Sequence, residues 1–211
     1  MLSKTKVRCT KCSMHEELCL CALIPRLPTA TRVVILMHAQ ELKKPSNTGR
    51  LAHLCLPNSE IRLRGQRDGT PLDLEGLLED SHETWMLYLS PDSTELGPEL
   101  LSERKKPVRL LVPDGTWSQA SRLGAKLARQ LPGVRHVKLK ADKPSSYQLR
   151  SEHDPNGMAT FEAIARALGA LEGSEVQAEM EKIFQVMVDR VLYTRGRLAA
   201  EDVAGGIPPK G

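Results

Sequence analysis

A chain of 211 residues with 40% hydrophobic content can bury one substantial core plus a small appendage, and its net charge of +4 is too mild to define a partner by itself. Aromatic residues make up only 3%, which argues against a single-strand binder built on stacked rings; a nucleic acid here is expected to be gripped by its backbone. The longest apolar runs, RVVILM from Arg32 and MLYL from Met86, are too short to cross a bilayer and MLSKTKVRC lacks a signal-peptide apolar region, so a cytoplasmic chain without membrane contact is expected.

In a reducing compartment a cysteine cluster more often holds metal than disulfides. Cys9 and Cys12 form a C-x2-C pair, and Cys19 and Cys21 a C-x-C pair close behind it. Together they offer four thiolates to one ion, the ligand set of a structural zinc knuckle. Redox pairing and an iron–sulfur cluster are the competing readings. A catalytic zinc fits less well, because such sites leave a position open for water. His15 lies inside the loop as a spare ligand, and Cys55 sits in an apolar helical setting that suggests burial. A knuckle this small and terminal is expected to be structural or to serve docking, and loss of its metal to hurt binding more than the core fold.

Beyond it, RVVILMH (32–38), EIRLRG (60–65), TWMLYLS (84–90), VRLLVPD (108–114) and VRHVKLK (134–140) read as strands bounded by turn residues. Helical spacing appears over 49–55 and 118–131, and again over 159–171 and 175–197, where the stripe of Val176, Met180, Ile183, Phe184, Met187 and Val191 is core packing. Strands alternating with helices predict an α/β fold: a mostly parallel sheet, flanking helices and a helical C-terminus. Charge is segregated, with +7 over 1–70, −8 over 71–100, +9 over 101–150 and −4 over 151–211. Two basic blocks that converge would make a phosphate footprint, with Lys43, Lys44, Lys105 and Lys106 as contacts; solvated faces are the plain alternative.

Polar residues concentrate in three loops. Asn47, Thr48 and Gly49 suit either a helix cap or an anion site at a helix start, with Arg50 beside them. Asp114, Gly115, Thr116 and Trp117 follow Pro113 at the carboxyl end of an apolar strand, where open α/β sheets bind ligands. Asp114 can be read as the cap of the following helix or as a base whose proton affinity burial would raise. Tyr147, Arg150, Thr160 and Glu162 stand out in the third loop, with Thr160 also readable as a plain helix start.

Taken in order, these stretches resemble the DTW-domain family of tRNA-uridine aminocarboxypropyltransferases. The resemblance rests on the cysteine cluster, on His38, Glu41 and Asn47 to Leu51, on Asp114-Gly115-Thr116-Trp117, on S-x-Y-x-L-R from Ser145 to Arg150, and on T-x-E-A from Thr160. Ala39 and Ala159 stand where many relatives carry proline and serine; neither change removes a reactive group. The resemblance implies a SPOUT-like, knotted fold of a bacterial type, divided into a zinc-binding segment (1–28), a DTW catalytic domain (29–200) and a loose tail (201–211). It implies S-adenosylmethionine as co-substrate, a structural zinc on Cys9, Cys12, Cys19 and Cys21, tRNA as partner and no obligate protein partner. The implied reaction moves the 3-amino-3-carboxypropyl group to N3 of a uridine. Asp114 and Trp117 are then the catalytic candidates; Asn47, Thr48, Gly49, Arg50, Pro113, Gly115, Thr116, Tyr147, Leu149, Arg150, Thr160 and Glu162 are the candidates for holding the co-substrate. Within that set Arg50 or Arg150 would pair with the carboxylate of the transferred arm, Trp117 and Tyr147 would shape the pocket, and Glu162 would receive an amino group or ribose hydroxyl. A SPOUT-type RNA methyltransferase and a non-catalytic zinc-bearing RNA-binding module are the alternatives.

Overall fold

The two strongest aliphatic runs become neighbouring central strands, β1 (Arg32–His38) and β5 (Val108–Asp114), each buried along most of its length. The computed structural model describes residues 7–42, 44, 47–140 and 158–208. β2 (Ser59–Arg64) lies outside β1; β3 (Glu83–Leu87), β6 (Arg135–Lys138) and the two-residue β4 (Thr94–Glu95) extend the sheet beyond β5. The order is β2-β1-β5-β3-β6-β4, and each pairing is parallel. All carboxyl ends therefore gather at one pole. Register pairs Met37 with Asp114 and His38 with Arg64, so the ends of β1, β5 and β2 are level there.

Strands buried on both faces need cover on both. On one face Val33, Ile35 and Met37 of β1 and Val108, Leu110 and Val112 of β5 meet α2 (Thr48–Cys55), α5 (Thr160–Glu172) and α6 (Ser174–Thr194). Phe161 of α5 and Phe184 of α6 stack at 4.9 Å in that layer, a pair worth about 0.5–1.5 kcal/mol beyond its buried area. On the other face Val34, Leu36 and Leu111 meet Leu123 and Leu127 of α4 (Trp117–Gln130). Short helices α1 (Ala39–Leu42) and α3 (Pro98–Ser102) complete the described elements.

The N-terminal segment that carries the four cysteines is part of this core. Cys12, Met14, Leu18 and Leu20 are buried among the side chains of α2, α5 and α6. Burying each of the three larger ones is worth roughly 1.5–3 kcal/mol. Of the segment expected to be a loose tail, 201–208 are described: Val203 is 5% exposed, and the Ala204 N–H donates to Asp189 Oδ2 at 3.0 Å.

Candidate active site and metal centre

Asp114 ends β5 and is 4% exposed. Its Oδ2 accepts from Asn47 Nδ2 at 2.9 Å and its Oδ1 from the Thr160 hydroxyl at 2.5 Å. Asn47 does a second job, because its Oδ1 accepts the Arg50 N–H at 2.7 Å and so caps α2. Thr160 is the first residue of α5, and the Thr48 hydroxyl accepts the Phe161 N–H at 3.4 Å across the gap between the two helix starts. Three elements thus converge on one carboxylate, and donors on both oxygens fix its orientation.

The cap of α4 is Thr116, not Asp114. Thr116 Oγ1 accepts the Gln119 N–H at 3.3 Å while Gln119 Oε1 accepts the Thr116 N–H at 2.9 Å, a reciprocal pair that closes the helix start. Gly115 makes the turn possible: its φ is +154°, and a Cβ there would lie 2.8 Å from Gln119 Oε1. At Gly49 a Cβ would lie 3.0 Å from Asp114 Oδ2, so only a glycine lets α2 approach so closely. Glu162, buried, accepts the Ala159 N–H at 3.1 Å and closes α5.

Of the residues singled out in the sequence, Asn47, Thr48, Gly49, Asp114 and Thr160 meet at this pole, with Pro113, Gly115 and Thr116 adjoining and Glu162 one turn into α5. Trp117 opens α4. Tyr147, Leu149 and Arg150 lie outside the described residues, as does Lys43. Arg50 contributes its backbone here, but its guanidinium donates to the Ser13 hydroxyl in the cysteine loop.

Sequence reasoning missed Arg64. It ends β2 at the same pole, its Nη2 donates to the Gln119 carbonyl at 3.2 Å, and burial pushes its pKa down while the charge of Asp114 opposes that and Arg122 adds to it. The signal was the parallel register, which only the fold supplies. Among the described residues the two basic blocks do not converge as whole units. Arg104, Lys105 and Lys106 precede β5 and line a cavity with Thr31 at the amino pole, whereas Lys44 follows β1 and lies at the carboxyl pole.

The second cluster is made of sulfur. The Sγ atoms of Cys9, Cys12, Cys19 and Cys21 all lie within 4.8 Å of one another, with Cys9–Cys21 at 3.6 Å and Cys12–Cys19 at 3.8 Å. A tetrahedron of thiolates about 2.3 Å from a zinc ion has edges of about 3.8 Å, so the four fit such an ion. The Cys12 N–H holds the Cys9 thiol down at about 6, while burial pushes Cys12 and Cys21 up. Thiols this close cannot all ionise together without a cation among them. Cys55 is apart, fully buried in α2, with its thiol pushed up to about 12 by burial.

The sequence profile of the DTW domain matches residues 6–192, which takes in both clusters. The chain belongs to the DTW-domain family. It is 33% identical over 171 residues to tRNA-uridine aminocarboxypropyltransferase 2 of Drosophila melanogaster, covering 78% of this chain and 66% of the fly protein. The protein of the same name from Macaca fascicularis is 30% identical over 176 residues, covering 81% and 58%. tRNA-uridine aminocarboxypropyltransferase A of Arabidopsis thaliana is 27% identical over 218 residues, covering 85% and 79%. This DTW chain therefore spans less than two thirds of the animal relatives' length. No solved structure matches it. Among the described residues of this family member, no helix is long and apolar enough to cross a membrane.

Proposed function

We propose that this DTW protein is a cytoplasmic transferase that moves the 3-amino-3-carboxypropyl group of S-adenosylmethionine to N3 of a uridine in tRNA. The observation that carries the reading is the Asp114 cluster, placed at the carboxyl pole of a parallel sheet in a chain whose relatives bear that activity in their names. Uridine N3–H is a weak acid and needs an acceptor for its proton. Asp114 is that acceptor, held in place by Asn47 and Thr160. As N3 bonds to the γ-carbon of the methionine arm, the carbon–sulfur bond breaks, sulfur leaves as neutral methylthioadenosine, and the proton passes to Asp114. Attack at that carbon rather than at the methyl is a matter of orientation.

The arm's carboxylate needs a cation. Because Arg50 reaches toward Ser13, we assign that task to Arg64 together with Arg150, and keep Trp117 and Tyr147 as walls of the pocket. Asn47, Thr48, Gly49, Pro113, Gly115, Thr116, Leu149 and Glu162 would form the surrounding frame. From the parallel sheet with its carboxyl ends at one pole we infer a SPOUT-related fold. One structural zinc is assigned to Cys9, Cys12, Cys19 and Cys21, where it would tie the N-terminal loop together.

The test uses tRNA and S-adenosylmethionine labelled first on the carboxypropyl arm and then on the methyl. Arm label alone should enter tRNA. Methyl label would identify a methyltransferase, and no transfer of either would leave a binding module.

A further inference from the structure

Arg190 of α6 is 1% exposed, yet among the described residues no carboxylate pairs with it. Its Nη1 donates to the carbonyls of Leu18 at 3.3 Å and Cys19 at 2.6 Å, its Nη2 donates to that of Gly206 at 2.9 Å, and its buried Nε has no hydrogen-bond partner there. Arg50 of α2 is half-buried and in the same position: its guanidinium donates to the Ser13 hydroxyl, next to Cys12, and meets no carboxylate among the described residues. Two guanidinium groups taken out of water and given only neutral acceptors need an opposite charge nearby. They flank the cysteine cluster, one from α2 and one from α6; burial pushes the pKa of both down, and the nearby groups that work against this are Cys12 for Arg50 and Cys19 and Cys12 for Arg190.

We propose that Arg50 and Arg190 are outer partners of the metal centre, and that their two positive charges balance the two negative charges left when four thiolates surround a divalent ion. This rests on the metal reading of the cysteine cluster and carries it further. It explains why α6, distant in sequence, sends a cation to the knuckle, and why Arg50 turns away from Asp114. Groups outside the ligand shell tune affinity and the electron density on the ligands, so the two arginines set how tightly the centre holds its ion.

The test loads the metal-free full chain with cobalt(II) and follows the thiolate-to-cobalt charge-transfer band. Arg50→Gln and Arg190→Met should each weaken cobalt affinity by about 10- to 100-fold. Removing a cation makes the thiolates easier to oxidise, so the band should move to longer wavelength, while its intensity still reports four thiolates. Arg50→Lys, which keeps charge but loses the planar fork, should fall between Arg50→Gln and the unaltered protein. A merely structural role for these side chains would leave the band position alone. Wild-type affinity and an unmoved band in both variants would overturn the proposal. Should Arg190→Met fail to fold, the half-buried Arg50 decides the matter through Arg50→Gln. If the unaltered protein shows no thiolate–cobalt band, the metal reading falls and this inference with it; if it does and the variants match it, only this inference falls.

Discussion

The Asp114 carboxylate is held on both oxygens, so it has little room to yield to a new neighbour. Gly49 is where that rigidity is most exposed, since an added methyl would sit 3.0 Å from Oδ2 and 3.2 Å from the Met37 methyl. Gly49→Ala should therefore push the carboxylate off its bonds. We expect a loss of stability of about 1–3 kcal/mol from overpacking, and a fall in transfer of about tenfold or more from the displaced acceptor. Urea denaturation and initial-rate assays measure the two separately; an alanine that raises stability, as it does in an open helix, with the rate intact would show that the carboxylate can shift freely. Part of this arrangement is legible in the chain, because Pro113-Asp114-Gly115 after an apolar run marks a strand end and Asn47 marks a cap. The bond from Thr160 to Asp114 is not, because it joins residues 46 apart and depends on how α5 docks. Arg64 is not legible for the same reason: in EIRLRG it is one of two arginines, and only the register of β2 against β1 brings it level with the site.

Elements with strong periodicity or long apolar runs are readable in advance; short ones are not. β1 and β5 keep the bounds expected of RVVILMH and VRLLVPD, because a continuous aliphatic run has no alternative to a buried strand. β4, two residues long, and α1, four residues long, carry too few side chains for a period to show, and α3 begins at Pro98 inside an acidic stretch that masks it. The four cysteines are legible as a cluster, but the burial of Met14, Leu18 and Leu20 is not, since they sit in a motif with no repeat to reveal which face is buried. Stripping metal with a chelator should loosen all three side chains together. The expected cost is about 3 kcal/mol or more, which for a chain of this size lowers the melting temperature by about 6 °C or more, alongside any loss of RNA affinity. The same shift should appear in the Cys12→Ser, Cys19→Ser double variant, with its zinc content lost. An unchanged melting curve in the metal-free protein would return the knuckle to a peripheral role.

On the scale of the whole molecule, the parallel sheet separates the chain into two poles about 20 Å apart, six strand steps of about 3.3 Å each. Arg64 and Arg122 stand at the carboxyl pole with Asp114, whereas Lys105 and Lys106 stand at the other, where Lys106 is already paired with Asp80. A tRNA whose uridine reaches Asp114 must lay its backbone across the carboxyl pole. Glutamate at both Arg64 and Arg122 should therefore weaken tRNA binding by about tenfold or more and flatten its salt dependence, while glutamate at both Lys105 and Lys106 should change it by about threefold or less. Filter binding at several salt concentrations distinguishes these, and the reverse ranking would place the RNA at the amino pole. The central claim is that Asp114 takes the proton from uridine N3. Asparagine at position 114 keeps the size and can still accept from Asn47 through its one oxygen while its amide nitrogen donates to the Thr160 hydroxyl, but it cannot accept that proton, so the direct measurement is single-turnover transfer from arm-labelled S-adenosylmethionine to tRNA by Asp114→Asn, beside calorimetric binding of the same co-substrate. The account predicts affinity within about threefold of the unaltered protein and a transfer rate lower by about a hundredfold or more; transfer at a near-unaltered rate across neutral pH would contradict it.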